Sequence, residues 1–395
     1  MKDYLYIDVS CKQFNCNNER VCGDVFLSKK LKEEGRSIVV LSDGLGHGVM
    51  ANMLSTITAT MAMNFASNYK EYDLIAETIL KALPVDKEKH SSFATFTIVD
   101  IEPDGKASIL EYENPQCLIF RGSELYEPQW TCMVLNVKRD IGKEIHFCTF
   151  DIQQNDRIVI FSDGVSQAGM GSNNYPAGWG VDEVHKYIKQ AILRQPDINS
   201  SDLAYKVVFE AYKKDDYTSK DDISCAVLYF RQPRKLLVCT GPPSDPMKDK
   251  EFADMFKNFD GRKILCGGTT ADIISRELDL KIDDTKPVQE DVDLPPMNYM
   301  EGVDLLTEGI LTLTKVSNIL QNYSPNYKFG KGPADKIVQM LIESDDILLL
   351  VGTKINEAYQ DANIPIELEA RRTIVRRIAS ILEEVFLKKV KIMFI

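Results

Sequence analysis

Four acidic positions in this chain share a local pattern. Ser42-Asp43-Gly44 closes the apolar run Ile38–Leu41, and Ser162-Asp163-Gly164 closes a second run, Arg157–Phe161. Asp24 follows Gly23 just before Val25-Phe26, and Asp221-Asp222 precede the strand-like stretch Ile223–Phe230. Short apolar runs bounded by glycine turns read as buried strands, so each carboxylate stands at the tip of a core strand. Carboxylates gathered in one place repel one another. Oxygen donors of this kind suit hard divalent cations. Taken singly, each motif is equally a plain strand–turn connection; the recurrence is what favours a site.

The elements that hold these acids alternate between strand and helix patterns. After Asp43-Gly44 comes Leu45-Gly46-His47-Gly48, a turn that tolerates positive φ, and then a helix from about Val49. Met50, Met53, Leu54, Ile57, Met61 and Phe65 lie at helical spacing and mark its expected buried face. Strands are expected at Tyr4–Ser10, Val25–Leu27, Ser37–Leu41, Phe93–Ile101, Ala107–Tyr112, Cys117–Arg121, Met133–Val137, Ile145–Phe150, Arg157–Phe161 and Ile223–Phe230. Helices are expected at Tyr72–Leu83, Val181–Leu193 and Ser201–Tyr212, with a Gly/Asn-rich flap over Gly169–Gly180. Many antiparallel-type strands with paired helices between them give an α+β class, a sheet-on-sheet β-sandwich with helices outside.

In this order the motifs resemble the SpoIIE-like branch of the metal-dependent (PPM-type) serine/threonine protein phosphatases, over residues 1–231. The resemblance implies a β-sandwich flanked by helical pairs, with two Mn2+ or Mg2+ ions at one end. It implies hydrolysis of phosphoserine or phosphothreonine on a protein partner by metal-activated water. By position, Asp43 would bridge the two ions, Asp24 and the backbone carbonyl of Gly44 would serve one, and Asp163 and Asp221 the other. Asp43 and Asp163 would be central to catalysis. Two residues depart from the eukaryotic relatives: His47 comes three residues after Gly44 instead of directly, and Arg20 lies four before Asp24. His47 reads as a general acid or as a capping or core-edge residue, Arg20 as a phosphate contact or a solvated loop residue, and Asp222 as a residue supporting the ligands or a turn residue. Glu113-Asn114-Pro115-Gln116 replaces the commoner Asn-Ala-Gly. The alternative reading is a non-catalytic metal-binding sensor or adaptor domain in bacterial signalling.

Composition bounds the rest. The 395 residues carry a net charge of −12, which disfavours non-specific nucleic-acid binding. No apolar run reaches membrane-spanning length, and Met1-Lys2-Asp3-Tyr4 lacks the apolar core of a signal peptide. Nine cysteines, with no Cys-x-x-Cys, read as reduced thiols. A cytoplasmic protein is expected, and a homodimer is left open. Pro233 and Pro242-Pro243 mark the start of a second, smaller α/β domain over 232–395, with a regulatory or ligand-sensing role. Its strands are expected at Leu236–Thr240, Lys263–Cys266, Asp346–Val351 and Lys389–Ile395. Its helices are expected at Ala271–Leu278, Tyr299–Leu320, Pro333–Glu343 and Ile366–Leu387, with a loop at Asp283–Asn298. Gly267-Gly268-Thr269-Thr270 reads either as a phosphate cradle for a nucleotide or as a tight turn with threonine N-capping.

Overall fold

The computed structural model describes residues 5–31, 33–68, 78–79, 94–134, 144–288, 297–324, 327–354 and 365–395. The chain divides into two compact units, Met1–Gln232 and Pro233–Ile395. The expected helix at Tyr72–Leu83 lies almost wholly outside the described residues.

The first unit is built from two antiparallel sheets. One has the order β1-β11-β10-β6-β7 and the other β2-β3-β4-β5-β9-β8. The first sheet comprises β1 (Tyr6–Phe14), β6 (Leu118–Arg121), β7 (Glu124–Leu125), β10 (Asp156–Phe161) and β11 (Ile223–Arg231). The second comprises β2 (Val25–Leu31), β3 (Arg36–Gly44), β4 (Ala94–Ile101), β5 (Lys106–Tyr112), β8 (Thr131–Val134) and β9 (Glu144–Asp151). Strand β3 reads as a continuous apolar run because both its faces are covered. Val39 and Leu41 point into the core between the sheets, with Ile109, Ile158, Ile160 and Leu228. Ile38 and Val40 point the other way, against the helix α1 (Gly48–Asn68). Helices α3 (Val181–Arg194) and α4 (Ser200–Lys214) cover the outer face of the first sheet through Val184, Ile188, Leu203 and Val207. Between β10 and α3, Asp163–Ser166 form a single turn, α2. The unit is thus an α+β sandwich with helices on both outer faces. A buried ion pair ties the layers: Arg36 bonds Asp100 of β4 and, through Nη2 at 2.8 Å, the carbonyl of Ala66 in α1. Removing one partner of such a pair strands a buried charge, at about 3–5 kcal/mol.

The second unit is a doubly wound sheet. Its parallel core has the order β16-β13-β12-β17-β18, extended at one edge by β15 and β14. The parallel strands are β12 (Lys235–Thr240), β13 (Arg262–Cys266), β16 (Leu305–Thr307), β17 (Asp346–Val351) and β18 (Lys389–Phe394). Helices α5 (Asp249–Lys257) and α6 (Gly268–Leu278) pack on one face through Phe252, Phe256 and Ile274. On the other face lie α7 (Ile310–Gln321), α8 (Pro333–Glu343) and α9 (Pro365–Glu384), through Val316, Ile337 and Ile378.

Three expectations are corrected. Helix α1 does not bury its methionine face: Met50, Met53 and Ile57 are exposed, and Ala51, Ser55, Thr58, Ala59, Ala62, Met63 and Ala66 face inward. Small residues win there because the helix lies close to the sheet. Tyr299–Leu320 is not one helix: β15 (Met297–Met300), a turn at Gly302 and β16 precede α7. Asp283–Asn298 is not all loop, since β14 (Ile282–Val288) and β15 pair antiparallel across it. All nine cysteines are free thiols, six of them buried. No helix among the described residues is long and apolar enough to cross a membrane.

Glu111 offers a direct check on this core. Only 2% exposed, it accepts a 2.8 Å bond from the Cys117 N–H, and burial pushes its pKa up to about 7. A carboxyl raised on folding binds its proton more tightly in the native state. Its contribution is therefore full below pH 4.5 and lost as pH rises to about 7. Glu111→Gln cannot ionise. Its melting temperature relative to wild type should climb between pH 4.5 and 7, by the equivalent of up to about 3 kcal/mol, in melts across that range.

Candidate functional site

The acids predicted from sequence come from four separate elements and meet at one end of the sandwich. Asp43 is the penultimate residue of β3, opposite Thr95 of β4. Asp24 directly precedes β2, Asp163 begins α2, and Asp221 stands two residues before β11. Burial raises the pKa of Asp43 well above the ordinary carboxylate value, and the charges of Asp24, Asp163 and Asp221 raise it further. Burial also pushes Asp24 up to about 7 and Asp221 to about 6, with Asp163 and Asp222 adding to the latter. The Asp43 and Asp163 carboxyls interact, the pairing raising Asp43 further and opposing the rise that burial gives Asp163, as two acids sharing one proton do.

Close packing fixes these positions. A Cβ at Gly44 would lie 2.2 Å from the Ala51 carbonyl oxygen of α1, and one at Gly164 would lie 2.2 Å from the Asp222 carbonyl. A Cβ at Gly23 would meet Asp222 Oδ2 at 2.7 Å and Ala51 Cβ at 2.9 Å. The glycines in the motifs are therefore demanded by neighbours, and small residues on α1 let it approach. Hydrogen bonds complete the latch: Ser55 Oγ donates to the Gly23 carbonyl, and Asn52 Nδ2 donates to the Cys22 carbonyl at 2.7 Å.

Several of the contacts around these acids carry no signature in the sequence. The hydroxyls of Ser224 and Ser162 face the Asp24 carboxylate and favour its charged form. The two serines also bind each other's segments, Ser224 N–H donating to Ser162 Oγ at 3.0 Å and Ser162 N–H to the Ser224 carbonyl at 3.1 Å. Gln167 Nε2 donates to Asp163 Oδ2 at 2.8 Å. Asn114 braces the ends of β3 and β4, bonding Thr95 Oγ1 and donating to Thr97 Oγ1 at 3.0 Å and to the Leu41 carbonyl at 3.4 Å. Asp222 Oδ1 accepts the Cys16 N–H at 2.9 Å, which makes it a turn residue as expected. His47 directly precedes α1, is exposed, and pairs through Nδ1 with Glu19 Oε1 at 2.9 Å. Arg20 is exposed.

The donor set fits divalent cations. Asp24 Oδ2 and Asp222 Oδ2 are buried with no hydrogen-bond partner. Neighbouring acids repel the carboxylates of Asp24, Asp43 and Asp221, and His47, at Asp221, is the one basic side chain among their leading influences. The set is wider than a single-ion cage. Among the described residues, the one trio of His, Cys, Asp or Glu whose ligand atoms all lie within 4.8 Å is Cys132, Glu144 and His146 on the β8–β9 pair.

A helix-flanked sandwich with acids converging at one end is the fold of PPM-type phosphatase domains. The chain belongs to the SpoIIE family: the model described as stage II sporulation protein E (SpoIIE) matches residues 33–231. No curated protein matches the sequence. Among solved structures, the phosphatase domain of SpoIIE from Bacillus subtilis is similar at 15% identity and a TM-score of 0.43, over 59% of this chain and 95% of that one. RsbX in complex with magnesium is similar at 19% identity and 0.39, over 58% and 98%. The catalytic domain of the serine/threonine phosphatase PstP, in complex with two manganese ions, is similar at 11% identity and 0.39, over 58% and 100%.

Because the acids repel, neutralising one relieves strain and removes a donor at once. Asp43→Asn should melt at or above the wild-type temperature in chelator. It should lose the upward shift that millimolar Mn2+ gives the wild type, read by calorimetry on both proteins.

Proposed function

We propose that this chain is a metal-dependent protein phosphatase that hydrolyses phosphoserine or phosphothreonine on a protein partner. The observation that carries the reading is the set of four mutually repelling carboxylates held at one end of the sandwich, two of whose neighbouring buried oxygens lack a partner. Asp24 and the Gly44 carbonyl would hold one Mn2+ or Mg2+ ion, Asp163 and Asp221 the other, and Asp43 both. Bound ions of this kind supply an activated water and a clamp for phosphoryl oxygens.

The chain's own residues orient the donors. Ser162 and Ser224 favour the charged form of the Asp24 carboxylate against the burial that raises its pKa, and Gln167 fixes one oxygen of Asp163. Asn114 keeps the tips of β3 and β4 in register beside Asp43. We infer that the protein works in the cytoplasm, and that the second unit modulates the phosphatase or docks its partner.

The test is hydrolysis of a generic aryl phosphate and of a phosphoserine peptide by the purified full chain. Activity should require added Mn2+ or Mg2+ and vanish in excess chelator; full turnover in chelator would remove the reading. Asp43→Asn should lower turnover by at least about two orders of magnitude and more than Asp163→Asn does, since one carboxylate would be lost to both ions. The opposite ranking would move the bridging role to another residue.

A further inference from the structure

The turn at Gly267–Thr270 takes no part in the acidic centre, and its surroundings single it out. Four neighbouring parallel strands end level with one another: Thr240 pairs with Cys266 on one side and Val351 on the other, and Cys266 pairs with Thr307. Each is followed within two residues by a glycine, at 241, 267, 309 and 352. Ligands of open parallel sheets bind outside the carboxyl ends of the strands, most often where the winding reverses. In this unit the reversal falls between β12 and β17, and the chain itself fills it. A Cβ at Gly352 would lie 2.2 Å from the carbonyl oxygens of both Gly241 and Pro242. The Gly352 N–H donates to Thr240 at 2.9 Å and the Lys354 N–H to Pro242 at 3.0 Å.

The opening lies at β13 and β16. A Cβ at Gly268 would meet nothing within 4 Å, and one at Gly267 would stand 3.8 Å from the Gly309 Cα. Helices α6 and α7 both start here, with Gly267 and Gly309 as N-caps that supply no side-chain acceptor, so neither Thr269 nor Thr270 caps α6. The first intrahelical bonds are Ala271 N–H to Gly267 at 3.1 Å and Leu313 N–H to Gly309 at 3.2 Å. The N–H groups of Gly268, Thr269 and Thr270 precede the first of these. Two positive helix ends therefore converge on one sheet edge.

A second observation points to what sits there. The Thr270 side chain is 1% exposed and its hydroxyl has no hydrogen-bond partner. That oxygen lies 3.4 Å from where a Gly267 Cβ would be, so it faces the same cradle. Thr312, in the first turn of α7, likewise buries a hydroxyl without a partner. Such a group is costly to bury unless a ligand satisfies it. Neither first turn carries an acid, and the Arg371 guanidinium stands against Gly241, one strand over. Glu308 directly follows β16 and is exposed, so the same edge carries an acceptor for the hydroxyl donors that a nucleotide brings and inorganic phosphate does not.

We propose that the carboxyl edge of β13 and β16 binds the phosphate of a nucleotide, through the N–H groups of Gly268, Thr269 and Thr270 and the Thr270 hydroxyl. The experiment is calorimetric titration and thermal melting of the full chain with inorganic phosphate, AMP, ADP, ATP, GTP and NAD. It is run in excess chelator, so that the acidic centre of the first unit repels anions and a failure of the phosphatase reading leaves the result intact. At least one nucleotide should bind saturably with a Kd below about 1 mM and raise the melting temperature. Thr270→Val keeps the shape and removes the unsatisfied hydroxyl. It should melt at or above the wild-type temperature without ligand and bind at least about tenfold more weakly. Inorganic phosphate binding as tightly as any nucleotide would overturn the nucleotide assignment. No saturable binding by any of the six, or equal binding by wild type and Thr270→Val, would overturn the site.

Discussion

Carboxylates placed side by side in a partly buried pocket push apart, and the first unit is arranged to withstand that push. At an effective dielectric of about 20, two unit charges 5 Å apart repel by roughly 3 kcal/mol. Here Asp43 feels three such neighbours. No single element bears them. Asp43 rides on β3, buried on both faces; Asp24 is tethered through the Gly23 carbonyl to α1; Asp163 and Asp221 are joined through the paired serines at 162 and 224. Asp24 and Asp43 hang from one sheet and Asp163 and Asp221 from the other, so the four acids are brought together by the packing of the two sheets and α1.

That division of labour explains which parts of the fold were legible. Strand tips were readable because apolar runs end abruptly at Ser-Asp-Gly, and an acid at such a place has few structural reasons to exist. The contacts of those acids were less readable. Ser162 sits in a Ser-Asp-Gly motif and Asn114 in a marked turn, but Ser162 meets Ser224 across 62 positions and Asn114 meets Leu41 across 73. Nothing local marks those pairings. The face of α1 was misjudged for a related reason. Hydrophobic periodicity ranks methionine above alanine, whereas a helix lying 2.2 Å from a would-be Cβ at Gly44 has room only for small side chains. The signal was present in Gly23 and Gly44, as a demand for closeness made by other residues.

The second unit shows the opposite balance. Its long strands and amphipathic helices, such as α8 and β17, follow their sequence patterns closely. The edge at β14–β16 does not, because β16 has only three residues and takes its identity from parallel pairing with β13. A three-residue strand is too short to display alternation. Spacing that continues through Asp304 and Gly309 then imitates a helix. Tertiary pairing decides the outcome there, and local propensity does not.

The two faces of α1 are under unequal steric constraint. On the inner face Ala51 lies 2.2 Å and 2.9 Å from where a Cβ on Gly44 and on Gly23 would stand, so only small side chains fit there. The outer face presents Val49, Met50, Met53 and Ile57, between 46% and 68% exposed. Substitution on that surface leaves the close approach beneath it intact, so within one stretch of 21 residues the helix keeps its seat while its exposed side is free to vary.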